Sequence, residues 1–547
     1  MGKFLSTLFL GAALSLSVFG QQAPADLLLL NGKVFTADPA HPYAQAIAIR
    51  DARIIAVGIT EEIGALAGPK TRRIDLQGRV VIPGINDAHY HHTPDPPAYH
   101  LQFKSMEPSW REVLDALGNA VKQTPKGTWI FGSIGLDVVA EPIATRFTLD
   151  RVAPDHPVFL RAYYGHGYIV NSKAMPVLGI TDEELDPMGG YFERVLGSNR
   201  ITGKSFEYAD WRSGRRLAST VSDEDAIKSM RSFADEAVRY GITSVQNMSF
   251  LPADRYVRLW GKARVPIRLR VIRFPMTGVR GRDLTEGRNL PNYSRSQPLV
   301  TVSGIKWILD GTPLERGAAL RAPYRDRAGW SGRLNFSEKE IASMVRESLA
   351  RKDQLLVHCA GDKPVEVLFN IMEGVSPKID WKKMRVRIEH GDSVAGDLVA
   401  RARRLGVVVV QNPTHFTFIE IINSRYGPDA QVFHLRSLLE AGIPIAIGSD
   451  GPLNPYLNIM FAVIHPVRPS EGITREQAVE AYTRGSAFAE LAEQDKGTIA
   501  KGRLADLAVL SQDIFTVRVN DLPATKSVLT VVGGKVVYDA GVLRDRK

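Results

Sequence analysis

Eight apolar, β-branched runs alternate with helix-period stretches through the middle of the 547-residue chain, and few folds accommodate that alternation. In order they read RVVIPGIND, GITSVQNM, PIRLRVI, GIKWILDG, DQLLVHCA, RVRIEHG, GVVVVQNP and PIAIGSD. Between the fourth and fifth, SEKEIASMVRESLARK puts Ile341, Met344, Val345 and Leu349 on one face of a helix. Such repeats bury both faces of a parallel sheet, so the α/β class and a (β/α)8 TIM-type barrel are expected over residues 81–494. The first and second runs stand too far apart for one crossover. Residues 95–238 are therefore read as an inserted α/β subdomain, with a helix near residues 113–121 and apolar runs at TWIFGSIG and PVFLRAYYGHGYIV. Its place in the chain would let it cover the barrel mouth as a lid.

The ends of the chain carry a different pattern. LLLLNGKVFTA, AQAIAIRDARIIAVG and RRIDLQGRVVIPG are short alternating strands with turns at Asn31-Gly32 and Gln77-Gly78. Near the other terminus, RLADLAVLS and SVLTVVGGKVVYDAG repeat the pattern, with Gly533-Gly534 as a hairpin turn. One small β-sandwich built from residues 24–80 and 495–547 is the expectation. Residues 1–23 read as an export signal: Lys3, an apolar run over residues 4–19, then Gly20 before Gln21-Gln22-Ala23. That run is shorter than the ~20 residues that cross a bilayer, so cleavage and a periplasmic or secreted product, without stable membrane insertion, are expected. The single Cys359 excludes an intramolecular disulfide. A net charge of +10 is spread along the chain, and its densest stretch, residues 262–295, holds no nucleic-acid motif, so it reads as a solvated face and not a polyanion site.

Polar residues end or follow several of the eight runs, where barrel active sites lie: His89, His91, Lys306, His358, His390 and Asp450. His89 and His91, at i and i+2, can turn toward one ion where the strand twists into its loop, leaving His92 spare. His358 and His390 would hold a second ion, and Asp450 would bind the first and face a shared water. Imidazole suits zinc and its first-row neighbours, and zinc is the metal expected. A protonated Lys306 would be repelled by two dications; neutral, its amine can capture CO2 and become a bridging carbamate. A lysine facing a surface or helix is the alternative.

Taken with HGYIVNSKAM, DPMGGYFERV, TGKSFEYA, HCAGD, GSDGP, EAYTRGSAFA and KGRLADLAVL, these motifs make nearly all of the chain after residue 23 resemble the amidohydrolase superfamily, in its amidohydrolase-3-type, N-substituted formamide deformylase-like branch. The resemblance implies a binuclear site with His89, His91 and Asp450 on one ion, His358 and His390 on the other, and carboxylated Lys306 between them. Two departures fall where substrate contacts would lie. Gln411-Asn412-Pro413-Thr414-His415 is one residue longer than the usual Gln-Pro, and Tyr164-Gly165 precedes His166 where an acidic residue and glycine are usual.

The chemistry expected of such a site is hydrolysis of a non-peptide C–N bond in a small molecule, an amide, carbamate or cyclic amide, with Asp450 passing the water's proton to the leaving amine. A mononuclear deaminase-like enzyme, a lactone, ester or phosphoester hydrolase, and a non-catalytic binding or regulatory protein are the alternatives. His166 is the further catalytic candidate, hydrogen-bonding the substrate or its oxyanion, against a structural role inside the lid. Asp87 either orients His89 or ends its strand, Asp362 caps a helix, and Cys359 is a small buried side chain. Arg161, Tyr163, Tyr164, Trp307 and Arg316 are placed near the mouth, which hints at an aromatic or anionic ligand. His41, His92, His100, His156, His434 and His465 receive no role. A closed homo-oligomer is the default for an enzyme of this size.

Overall fold

Eight parallel strands surround the centre of the protein in a computed structural model that describes residues 23–286, 297–375 and 378–545. They are β1 (Ile85–Tyr90), β2 (Ile242–Asn247), β3 (Arg268–Arg273), β4 (Val300–Ile308), β5 (Leu355–Cys359), β6 (Arg387–His390), β7 (Val408–Gln411) and β8 (Ile445–Ile447). Each pairs in parallel with its successor. No ladder joins β8 to β1; the residues just beyond β8 do so instead. Ser449 N donates to Asp87 Oδ1 at 2.9 Å and Asp450 N to His89 O at 3.0 Å. Glycine at 448 makes that approach possible, because a Cβ there would lie 2.3 Å from His89 N.

The first run of the sequence divides between two sheets. Val80–Pro83 pairs with Lys33–Phe35 and Leu507–Leu510 among the terminal segments, and Ile85–Tyr90 alone enters the barrel. Gly84 at the break packs on Thr243 with no room for a side chain. The chain ends form two sheets whose apolar residues, Leu27, Leu29, Ile47 and Ile49 from one and Val34, Val81, Leu507, Val509 and Leu529 from the other, share a core.

Between β1 and β2 lies a six-stranded mixed sheet, Ala98–His100, Trp129–Ile134, Val158–Ala162, Gly167–Val170, Gly190–Arg194 and Ile201–Glu207, with separate apolar clusters. Its first long helix, Trp110–Gln123, starts at a reciprocal cap between Ser109 and Glu112, which satisfies two backbone donors that the helix itself cannot. Helix Asp223–Arg239 packs on β2 and on helix Ala253–Ala263, so it is a barrel helix although it lies within residues 95–238.

Most of the export segment, residues 1–22, lies outside the described residues. The arginine-rich stretch differs from the solvated face expected of it. Arg268 pairs with Asp506, Arg273 with Asp353, and Arg282 with Glu340 and Glu347, while Arg270 is buried against Gln246 and Gln354. Carboxylates or amides from neighbouring elements meet these side chains. Among the described residues no helix is long and apolar enough to cross a membrane.

Candidate metal centre

His89 lies at the end of β1 and His91 just beyond it, with their ring nitrogens already sorted. His89 Nδ1 donates to Glu389 Oε2 at 2.5 Å and His91 Nδ1 donates to Met248 O at 2.8 Å. With the protons there, both Nε2 atoms carry lone pairs, and they stand 3.1 Å apart and 3.7 and 3.6 Å from Asp450 Oδ1. Two lone pairs and a carboxylate oxygen converging in this way have no hydrogen to share. A cation satisfies all three, so the donor set fits a metal ion.

The other oxygen of Asp450 serves a second group. His390 Nδ1 donates to Asn412 Oδ1 at 2.9 Å, and Asn412 Nδ2 donates to Gly448 O at 2.9 Å, which settles the amide's orientation. His390 Nε2 therefore faces Asp450 Oδ2 at 3.8 Å, and His415 Nε2 stands 3.9 Å from the same oxygen. The metal-compatible sets are thus His89, His91 and Asp450 beside His390, His415 and Asp450, with the carboxylate shared. His390 (φ 66°) and Asp450 (φ 41°) both hold left-handed backbone, which costs a non-glycine residue about 1–3 kcal/mol and is found where a side chain must be aimed.

The charges agree with this geometry. Burial pushes His91 down to about 4 despite Asp450, and burial with neighbouring histidines holds His390 well below the usual imidazole range, so both rings are neutral at neutral pH, as a cation would require of them. Burial alone would raise Asp450, but His89, His91, His415 and Lys306 around it keep it ionised far below the usual carboxylate range.

Lys306 is buried on β4, and burial lowers its amine to about 8 against the pull of Glu389 and Asp450. Only charge across space links it to those carboxylates. His358, on β5, lies with its ring centroid 4.5 Å from that of His390, but its Nε2 donates to Gly311 O at 3.2 Å. His166 reaches in from the insert: its ring centroid is 5.1 Å from that of His358, and its Nδ1 donates to Glu207 Oε1 at 2.9 Å.

Several expected residues do other work. Asp87 accepts from His89 N, Ser449 N and Ser449 Oγ, so it stitches the strand ends together, while Glu389 is what holds the His89 ring. Trp307 is absent from the mouth. It lies on the opposite face of β4 from Lys306, fully buried with Phe336 and Tyr208, because successive strand residues alternate. Arg316 pairs with Asp326, and Arg161 covers the Phe159 ring. Tyr163 stacks on Phe418 with centroids 5.7 Å apart. In agreement with expectation, Asp362 begins helix Asp362–Val375, where it accepts from Arg321 N, and Cys359 is buried.

Sequence reading missed Glu389, Asn412, His415 and Glu207. Glu389 is adjacent to His390 and on a regular strand would face away from it. The left-handed turn at His390 breaks the alternation, so both residues serve the centre. His415 was visible as a histidine in the lengthened loop after β7, but nothing in the spacing said that the loop returns to Asp450.

The chain matches the family described as the amidohydrolase family over residues 72–538. It is 27% identical over 551 residues to Protein LONG AFTER FAR-RED 3 of Arabidopsis thaliana, spanning 94% of this chain and 92% of that one. It is 26% identical over 563 residues to the N-substituted formamide deformylase of Arthrobacter pascens, spanning 94% and 98%. Among solved structures, an uncharacterized metal-dependent hydrolase from Pyrococcus horikoshii superposes with a TM-score of 0.69 at 21% identity, covering 90% of this chain and 99% of that one, a likeness of fold.

Proposed function

Because the chain belongs to the amidohydrolase family, we propose that it is a metal-dependent hydrolase of small molecules that cleaves a non-peptide C–N bond, in an amide, carbamate or cyclic amide. The observation that carries this reading is the pair of Nε2 atoms, 3.1 Å apart, facing Asp450. His89, His91 and Asp450 would hold one divalent ion and His358 and His390 a second, zinc or a first-row neighbour suiting the imidazoles, with a carbamate on Lys306 between them. Bound there, the ions would supply Lewis acidity and lower the pKa of a water they share.

The chain's own residues would do the rest. Asp450, ionised and placed between the two histidine groups, accepts the water's proton and passes it to the leaving amine, which would otherwise depart as a strongly basic anion. His166 donates to the carbonyl oxygen as negative charge develops on it. A neutral Lys306 amine attacks CO2, the N–C bond forms, and the proton it loses goes to solvent. The inserted subdomain, read as residues 95–238, closes over the mouth as a lid, and the protein works outside the cytoplasm once residues 1–23 are removed.

Elemental analysis of wild type and Lys306→Ala, side by side with activity on N-acyl, carbamate and cyclic amide substrates, tests the reading. Two ions per chain in wild type, falling together with activity in Lys306→Ala, are expected. The orientation of His358 Nε2 toward Gly311 O, away from the Asp450 cluster, favours a second reading, a mononuclear deaminase-like enzyme. One ion in both proteins would support it and return Lys306 to a structural role.

A further inference from the structure

We propose that Glu207 is a positioning residue of this site: by accepting the Nδ1 hydrogen of His166, it makes Nε2 the nitrogen presented to the substrate's carbonyl oxygen. The proposal rests on the hydrolase reading above and adds the group that aims its oxyanion donor.

Glu207 ends the strand Ile201–Glu207, immediately before helix Tyr208–Thr220, with φ 56° and ψ −131°. Backbone held in that region by a glutamate costs about 1–3 kcal/mol, and here it delivers a buried carboxylate between the insert and the barrel. One oxygen, Oε1, accepts from His166 Nδ1 at 2.9 Å; the other, Oε2, accepts from Asn335 Nδ2 at 2.8 Å. Asn335 Nδ2 also donates to Ile308 O at 3.2 Å, and the neighbouring Tyr208 hydroxyl accepts from Ile308 N at 3.0 Å. Glu207 is thereby clamped to the end of β4, two residues beyond Lys306, so its carboxylate cannot drift and neither can the imidazole bonded to it.

A second carboxylate, Glu315, lies within reach of the same histidine, and the three side chains have the composition of a cation site. The hydrogen bonds argue against that use. Both oxygens of Glu207 already have donors, and Glu315 is engaged by the backbone N–H and hydroxyl of Thr312. What the group lacks is a protein partner for His166 Nε2 among the described residues. An imidazole with a single proton on Nδ1 would offer only a lone pair at Nε2. Two carboxylates flank the ring, Glu207 bonded to Nδ1 and Glu315 within 4.8 Å, and their charge balances a second proton on Nε2, which donates to a carbonyl or oxyanion. His166 stands beside His358 and within electrostatic reach of His415, so the ring that Glu207 holds borders both histidine groups.

The test is a double-mutant cycle on the metal-loaded enzyme, with metal content and melting temperature measured for every variant. His166→Ala should lower kcat by about 100-fold. Glu207→Ala should lower it by about 10–100-fold with KM little changed, and Glu207→Gln, which keeps an acceptor for Nδ1–H, should recover part of the loss. In the His166→Ala background, removing Glu207 should change kcat by less than about 2-fold, because the residue it aims is gone. Independently of turnover, the ring nitrogen resonances of His166 in 15N-histidine-labelled protein, assigned by their disappearance in His166→Ala, should shift in Glu207→Gln. Losses that multiply across the two sites, or wild-type kcat in Glu207→Ala, would overturn the proposal, since a purely structural Glu207 would act whether or not His166 were present. Should Glu207→Ala fail to fold, Glu207→Gln carries the same cycle. A wild type without bound metal or hydrolysis would refute the hydrolase reading itself, a result distinct from an additive cycle.

Discussion

Replacing Glu389 by alanine should damage metal binding and stability by separable amounts. The carboxylate is fully buried and holds two partners: His89 Nδ1 at 2.5 Å and the Arg387 guanidinium, whose Nε and Nη2 donate at 2.8 and 3.0 Å. Without it, Arg387 remains fully buried with only Ala88 O and Gln246 Oε1 as described acceptors, neither of them charged. Leaving one member of a buried ion pair uncompensated costs about 3–5 kcal/mol, so urea should unfold metal-free Glu389→Ala at a markedly lower concentration than wild type. Losing the acceptor that orients a ligand histidine costs a further 10–100-fold, or about 1.4–2.8 kcal/mol, in metal affinity, read by competition with a chelator. Substituting both residues, Arg387→Met with Glu389→Met, separates the two effects. No buried charge is then left alone, so stability should return to within about 1 kcal/mol of wild type, while metal affinity stays low because His89 still lacks its acceptor. Wild-type metal affinity in Glu389→Ala would refute the argument that this bond sets the His89 ring. Recovery of affinity along with stability in the double variant would show that the metal effect ran through the fold.

Other consequences follow from particular contacts. His415→Ala should weaken metal retention by about 10-fold, since His415 Nε2 stands beside His390 at 3.9 Å from Asp450 Oδ2; metal retained per chain during graded chelator dialysis reads this, and wild-type retention would remove His415 from the site. Gly448→Ala should destabilise the protein by at least about 1–3 kcal/mol and reduce metal content with it, because the new methyl group would meet His89 N at 2.3 Å; equal stability and metal content would show that β1 and β8 tolerate separation. His465 is fully buried, accepts from Arg468 N and donates to Phe433 O, and burial lowers it to about 4. As pH falls through about 6.5 the unfolded chain takes up this proton before the folded one, so stability should decline between about pH 6.5 and 4 and level off below. His465→Asn, which keeps an acceptor for Arg468 N and tolerates the left-handed backbone, should flatten that part of the urea-stability profile, and an unchanged slope would remove His465 from the account.

The barrel was legible because its signal is local. Alternating runs and helix-period stretches report β1 to β8 one at a time, and the residues that end β1 and follow β8, His89, His91 and Asp450, are read in the same windows. The period-2 rule even separates Lys306 from Trp307, although the sequence reading placed both near the mouth. What the sequence could not carry was the set of partners that makes these side chains into a site. Glu389 meets His89 across 300 positions and Glu207 meets His166 across 41, and neither distance leaves a periodic trace. The left-handed backbone at His390, Asp450 and Glu207 likewise overrides the alternation that a strand pattern predicts, because the packed barrel and insert fix those angles and the isolated segments do not. Local periodicity by itself therefore determined the strands, their order and the first donors. Closure of the barrel at Gly448 and the hydrogen bonds that choose which nitrogen of each histidine faces inward were decided only when distant segments packed, since a ring's orientation is set by the acceptor that packing brings to its other nitrogen.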